Sequence, residues 1–584
     1  MIGVTQERFP STAVAATANH DRVQNEGVSR IGATALVALT LLCLLPFSGK
    51  AFHIDDPVYL WTAKQIVEHP LNPYGFDINW SNTALPMWEA TPNPPLVCYY
   101  AALVGRIAGW SERALHLGFL LPALAAVLGA YRLAGRFTRQ PWLAAAATLL
   151  APGLLVSATG IMCDTMMVAL WIWATLFWVE GLDDPQKPLS LAISGLLISA
   201  CALTKYFGIC LIPLLFVYSI MQKRAVGRWL WFLLIPLVVL GGYEAWTYAL
   251  YGHGTLWFGL QFTAAKGQAR RQGHFSAATG HALVGLAFAG GCTLPALTFG
   301  PLLWSRKQLF VGGIAAIMVT LAYFLGWISM GSAYPDPEWL YRHAALVNTQ
   351  LALCLAGGIS VLALAISDLR ERGDAPSLLL FLWVAGTFLF AVFVNWQVNA
   401  RSLLPLIPAA AILTARRLDE TQLRLTVWRR LAVIVPLIIS GAVSLWAAWG
   451  DEELANTART MAEQVRSKSL HPSTVRFQGH WGFQYYMELI GAQPLDNKTR
   501  NFHPGDLLVL PVNNANLFEL SSRMTPVKIL DFKIGAHLGT MSRGLGAGFY
   551  SSDWGVLPFA IGPVADERYY VVRGEEGYPW AEAP

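Results

Sequence analysis

The chain has 584 residues, 55% of them hydrophobic and only 13% charged, where a soluble protein carries about a quarter charged residues. That composition excludes a soluble multidomain enzyme, a secreted disulfide scaffold and a disordered chain. The length of the apolar runs excludes a transmembrane β-barrel, whose segments are short and alternating. The net charge of +5 is unevenly spread: residues 451–584 hold 12 Lys and Arg against 15 Asp and Glu, the first 450 hold 29 against 21.

Residues 1–30 are polar and show no signal-peptide pattern, so they read as a cytoplasmic tail before a retained anchor at 31–47. Runs of the roughly 20 apolar residues a span requires recur near 31–47, 114–134, 141–158, 163–180, 189–203, 205–221, 229–250, 281–303, 308–330, 346–366, 376–394, 401–415 and 431–449. A shorter stretch, 94–110, is interrupted by Arg106. With the N-terminus inside and 94–110 lying along the outer surface, the inner loops hold 16 Lys and Arg, and the much longer outer segments hold 10. This is the positive-inside pattern, and a crossing at 94–110 would invert it. The expectation is an α-helical polytopic membrane protein of about thirteen spans over 31–450. The long first outer loop is 48–113, and the last span leaves 451–584 outside the cytoplasm as a small α/β domain. In that domain TVRF, PGDLLVLPV, KILDF and YYVVRG read as strands and the stretch after GHW as a helix. The seven cysteines fall in or beside apolar segments and read as small hydrophobes.

The first outer loop is far longer than usual, and long loops are usually functional. It opens with AFHIDDPVYLW, placing Asp55 and Asp56 shortly beyond the end of the first span. Either carboxylate could take a proton from a hydroxyl or hold a divalent ion; equally, Asp-Asp-Pro starts a helix as an N-cap with proline in its first turn. Asp164, at the outer end of the fourth run, is open to the same two readings. On that face lie Lys205 in the short turn ALTKYFG, Arg401 at the head of RSLLPLIP, and Lys266, Arg270, Arg271, Arg342 and His343 in other outer loops. Such cations bind lipid phosphate or merely snorkel. Glu244 is a further acid near an outer helix end, and His53 with Asp55 gives a two-ligand HxD spacing. No phosphate loop, GxGxxG, HExxH or GxSxG motif is present.

In order, the acidic motif after the first run, PPL before an apolar helix, the segment SATGIMCD, the LTK turn and RSLLPLIP resemble the polyprenyl-phosphate-dependent GT-C glycosyltransferases. The group they are most similar to is the protein O-mannosyltransferase and lipid A aminoarabinose transferase type (family 39-like in bacteria), and the resemblance spans residues 31–415. It implies an inverting transfer from a polyprenyl-phosphate-linked sugar to a lipid, glycan or protein acceptor outside the cytoplasmic membrane, with no nucleic acid involved. Asp55 would be the catalytic carboxylate, Asp56 its neighbour and possible substitute, and Asp164 the second acid. Lys205 and Arg401 match basic positions near the donor phosphate, and Arg342 joins them as a third cation of that face. No metal ligand is assigned, and a divalent cation is the one cofactor left open. Asn93 in PNPPL departs from the Lys or His that relatives often carry there. The segment GHWGFQYYMELIGAQPL is similar to tails of bacterial members, which implies a bacterial inner membrane. The alternatives are a secondary transporter, for which no internal repeat is visible, and a non-catalytic subunit of a polysaccharide export assembly. A cytosolic nucleotide-sugar site at Asp183-Asp184 would have only a short inner loop to build it.

Overall fold

The computed structural model describes residues 28–271, 274–330, 343–420, 427–467, 475–499, 502–517 and 524–574. Nine helices among these residues are long and apolar enough to cross a membrane, from Arg30–Gly49 to Leu431–Ser467. Of the other four expected runs, 189–203 forms one short helix, Pro188–Thr204, of 17 residues, and proline interrupts the remaining three. The run 141–158 divides into Pro141–Leu149 and Pro152–Ser157. The run 281–303 ends in two short pieces, Leu294–Thr298 and Gly300–Leu303, each with proline in its first turn. The run 401–415 divides at Pro405 into Ala400–Leu403 and Leu406–Glu420. A carbonyl freed inside an apolar bundle needs a donor from a neighbour. The Leu150 carbonyl accepts from Ser440 and Ser444 at 2.6 and 2.8 Å, and the Pro405 carbonyl from the Trp383 indole at 2.7 Å.

The long segment after the first span is ordered. It holds the helix Asp56–Glu68, a hairpin pairing Asp77–Asn79 with Ala84–Pro86, and the helix Leu96–Ala108. At about 1.5 Å per residue, the 13 residues of Leu96–Ala108 reach about 20 Å, short of the roughly 30 Å of a bilayer core.

The last helix, Val427–Ser467, has 41 residues and runs unbroken from its apolar half into a polar half. It leads into a five-stranded mixed sheet of β1 (Val475–Phe477), β2 (Gln493–Pro494), β3 (Leu507–Pro511), β4 (Met524–Phe532) and β5 (Glu567–Gly574). The spatial order is β2-β1-β3-β5-β4, with β1 parallel to β2 and β3, and β5 antiparallel to β3 and β4. The period-two alternation of a strand decides how the sheet docks. Val475, Phe477, Leu507, Val509, Tyr569 and Val571 join the core shared with the helical part. Leu508, Leu510 and Val572 turn the other way and close a small core of their own with Leu495 and Phe502. The fold is thus a polytopic helical part with a small sheet-containing C-terminal domain packed on one end.

Two helices, His274–Cys292 and Ala344–Arg372, cross backbone to backbone. A Cβ on Gly290 would land on the Cys354 carbonyl oxygen, and one on Gly358 on the Leu286 carbonyl oxygen. Small residues permit this approach where a hydrophobic driving force between helices is absent. Gly358→Ala is expected to destabilise the protein by about 1–3 kcal/mol, read as a lower Tm in detergent. A Tm equal to wild type would show that the helices do not cross there.

Candidate functional site

The first span ends in the tight turn Leu45–Gly49, and the chain then reverses between Lys50 and Asp56. Ile54 makes the reversal with φ of 47°, a left-handed conformation that is an outlier for a β-branched residue. The Asp56 amide donates to the His53 carbonyl at 3.0 Å to close the turn, and Pro57 starts the next helix. Backbone strain of this kind is kept where the surrounding structure over-determines it, often at functional sites.

The turn separates two adjacent aspartates. Asp56 is fully buried, and both of its oxygens are taken by backbone amides: His53 donates to Oδ2 at 2.9 Å and Ile161 to Oδ1 at 3.0 Å. It ties the first loop to the loop preceding Asp164. Asp55 occupies the N-cap position, but its side chain makes no capping bond. It is about one-third exposed, and Arg401 Nη1 donates to its Oδ2 at 2.8 Å.

Asp164 opens the helix Cys163–Asp183 without capping it. It is 2% exposed; Lys205 Nζ lies 2.6 Å from Oδ1, and Arg401 Nη1 lies 4.0 Å from Oδ2. Four of the charges expected from sequence therefore form one alternating row, Asp55–Arg401–Asp164–Lys205, drawn from four separate segments. Burial alone would lower the Arg401 pKa, but the two carboxylates beside it more than offset this and raise it above its ordinary value. Its guanidinium also donates to the Met162 sulfur at 3.0 Å, and Tyr59 nearby donates to the Cys163 sulfur at 3.1 Å.

The other candidates lie elsewhere. Arg342 falls outside the described residues, as do the side chains of Arg270 and Arg271. Lys266 rests over Phe262 of its own helix. Glu244 accepts from the amides of Leu256 and Trp257 at 2.9 and 3.1 Å, capping the helix Thr255–Arg271. Asn93 bonds Thr91, and Asp183 and Asp184 pair with Arg136 and Lys187. His53 does not pair with Asp55: its Nε2 lies 3.7 Å from Asp451. Among the described residues no group of three or more His, Cys, Asp or Glu converges as a metal site would require.

The sequence reading missed the centre that supports this row. Lys50 and Asp451 are both fully buried and pair at 2.6 Å. Lys50 also donates to Thr159 at 3.0 Å, and Asp451 accepts from Thr540 at 2.6 Å and Tyr550 at 2.8 Å. The Tyr550 ring lies 5.7 Å from the Arg401 guanidinium. The signal available in sequence was only a charge at each edge of an apolar run.

Residues 92–243, which carry Asp164 and Lys205, match the family model described as dolichyl-phosphate-mannose-protein mannosyltransferase. A sequence search among curated proteins returns no match. Among solved structures, ArnT from Cupriavidus metallidurans bound to undecaprenyl phosphate is 16% identical, with 82% of this chain and 93% of that chain covered and a TM-score of 0.40. The apo oligosaccharyltransferase of Archaeoglobus fulgidus is 14% identical over 82% of this chain and 65% of that one, with a TM-score of 0.46. AglB from the same organism, in complex with an inhibitory peptide and a dolichol-phosphate, is 15% identical over 83% and 65%, with a TM-score of 0.45. These structures are distant likenesses, and the family match is the observation that bears on function. Together with the helical architecture it supports a membrane glycosyltransferase of the GT-C class. Within that class it supports the mannosyltransferase type that the motif order resembles.

Two stability predictions follow from the buried groups. Lys50→Met leaves the Asp451 carboxylate buried without its cation and is expected to cost about 3–5 kcal/mol, with partial recovery in Lys50→Met/Asp451→Asn. A single variant that melts like wild type would show that the pair does not lock the structure. The second concerns pH. Burial pulls the His53 imidazole down to about 4 against the upward pull of Asp451, so the unfolded chain takes this proton first. The stability that the neutral ring contributes is present above about pH 6.5 and is lost as pH falls toward 4. Burial pushes Asp56 up to about 6, restrained by the amides of His53 and Ile161. There the folded state takes the proton first, so acidification through this range favours folding. The two effects oppose each other in wild type. In His53→Gln only the second remains, so the variant's Tm should gain on wild type as pH falls from 6.5 to 4.5. Parallel Tm curves would contradict a buried neutral imidazole.

Proposed function

We propose that this protein transfers a sugar from a polyprenyl-phosphate donor to a hydroxyl outside the cytoplasmic membrane by inverting displacement, with Asp55 as the base. The observation that carries the reading is the row Asp55–Arg401–Asp164–Lys205, half of it inside the segment matching the mannosyltransferase family model. ArnT and AglB have been seen with undecaprenyl phosphate and dolichol-phosphate respectively, and the same class of lipid phosphate is assigned here. The excess of Lys and Arg in the loops at the opposite end supports an N-terminus inside and a C-terminal domain outside, in a bacterial inner membrane.

The contacts favour Asp55 over Asp56 for the chemical role. Both Asp56 oxygens are occupied by amides in a buried position, whereas Asp55 is partly exposed and held by one side chain. Asp55 would accept the proton of the acceptor hydroxyl as its oxygen attacks the anomeric carbon. The bond from that carbon to the phosphate oxygen breaks on the opposite face, and the electron pair leaves with the polyprenyl phosphate. Arg401 and Lys205 would stabilise the phosphate charge, while Asp164 holds both cations in place. Arg342 remains a candidate third cation. The acceptor is a hydroxyl of a lipid, glycan or protein.

The test is transfer from radiolabelled polyprenyl-phosphate sugars to an envelope extract by the purified protein in lipid, with and without chelator. Asp55→Asn is expected to lose about 100-fold or more in kcat at an unchanged Tm. Asp56→Asn should lower the Tm in the first place. Full turnover by a folded Asp55→Asn protein would remove Asp55 as base, and no turnover by wild type with any donor would remove the transferase reading.

A further inference from the structure

We propose that Tyr550, in the C-terminal domain, is a positioning residue that sets the plane of the Arg401 guanidinium for the donor phosphate, so that this domain completes the site instead of merely flanking it. The inference rests on the donor-phosphate role proposed for Arg401.

The loop carrying Tyr550 is built to be rigid. It rises from the two-residue ladder of Met541–Ser542 with Ala547–Gly548, and Gly546 turns it with φ of 64°. Its two limbs are so close that a Cβ on Gly555 would strike the Gly546 backbone, and one on Gly548 the Ser551 carbonyl. The Leu557 amide donates to the Gly546 carbonyl at 2.9 Å, and the Gly548 amide to the Leu557 carbonyl at 2.8 Å.

The tip of this loop is bonded to the strand of chain immediately before Arg401. The Ala400 amide donates to the Phe549 carbonyl, and the Ser552 amide to the Val398 carbonyl, each at 2.9 Å. The Ser551 hydroxyl donates to Gln397 Oε1 at 2.8 Å. Tyr550 lies between these ties, 3% exposed, with its hydroxyl fixed by Asp451 and its ring edge-on to His53 at 5.5 Å.

Arg401 has a choice of partners, since Asp55 is at 2.8 Å and Asp164 at 4.0 Å from the same Nη1. A long side chain between two carboxylates can satisfy either of them in several orientations. An aromatic ring within about 6 Å favours a stacked guanidinium and removes most of them. In the observed orientation Nε is buried without a hydrogen-bond partner, a donor left over for an incoming anion. The sequence brings the two residues together only through the fold, because 149 positions separate them.

The experiment measures binding of a short-chain polyprenyl phosphate to the full protein in phosphatidylcholine nanodiscs, and KM and kcat with the sugar-loaded donor. Tyr550→Leu is expected to weaken phosphate binding and raise KM about tenfold, with a smaller change in kcat. Tyr550→Phe keeps the ring and should stay within about threefold of wild type, the rescue a purely structural role would not require. A folded Tyr550→Leu protein with wild-type affinity overturns the proposal. If Tyr550→Leu does not fold, Gln397→Ala/Ser551→Ala carries the test by cutting the side-chain tie alone. Weaker phosphate binding in that pair supports the proposal and unchanged binding overturns it. Wild type that binds no polyprenyl phosphate would remove the donor reading and this inference with it, a result distinguishable from loss of the ring's effect alone.

Discussion

The buried ion pair between Lys50 and Asp451 is the contact on which the site's geometry depends. Removing two ions from water costs several kcal/mol each, and their attraction offsets this only when the remaining hydrogen-bonding capacity is also met. Here it is met by residues from distant parts of the chain: Thr159 for Lys50, Thr540 and Tyr550 for Asp451. The pair is therefore favourable in one arrangement only, with the end of the first span, the loop before Asp164, the last helix and the C-terminal domain all in place. The long apolar contacts between the sheet and the helices supply area; the ion pair supplies register.

That register explains why two neighbouring aspartates have different surroundings. Ile54, held left-handed, rotates the chain so that Asp56 turns inward to the amides of His53 and Ile161 while Asp55 turns to Arg401. Asp56 is thus part of the fastening between the first loop and the Thr159–Ile161 loop, beside the Lys50 bond to Thr159. Fixing that loop also fixes Asp164, which begins the next helix. The charged row is assembled from ends of elements whose positions the buried network sets.

Much of this was legible in sequence. Strands at VRF, LLVLP, KILDF and YYVVRG could be read because apolar runs were bounded by turn formers, and they are β1, β3, β4 and β5. Asp55, Asp164, Lys205 and Arg401 stood out as sparse charges at the ends of apolar segments, which is where they meet. The number of full-length helices was less legible, since hydropathy reads across Pro152, Pro295 and Pro405 while the helical hydrogen bonds do not. Lys50 and Asp451 were invisible as a pair. Each sits where an apolar run meets polar sequence, the place where a charge ordinarily reaches into water. Only the fold, closing 401 positions of chain, shows that both point inward. Tyr550 carried no signal at all, being one of 19 tyrosines in a glycine-rich loop.

The alternation of charge along the row has a consequence for how a donor would arrive. With every carboxylate facing a cation, the resting site is close to neutral, and a phosphate entering it must compete with Asp55 and Asp164 for Arg401 and Lys205. Asp164 is 2% exposed and held by Lys205 at 2.6 Å, so its position is the harder to displace. Asp55 is about one-third exposed and joined to the row by a single bond to Arg401, so water can reach it as that bond is given up. A phosphate that takes Arg401 would therefore release Asp55 first. Under the proposed reaction the carboxylate would then be free to accept a proton from the acceptor hydroxyl as the leaving group is neutralised, without any separate moving part. The same guanidinium would serve as lock on the base in the resting protein and as clamp on the leaving group in the loaded one. Two different partners for one planar group need its plane to be held by something other than either of them, and the buried ring of Tyr550 is the group placed to hold it.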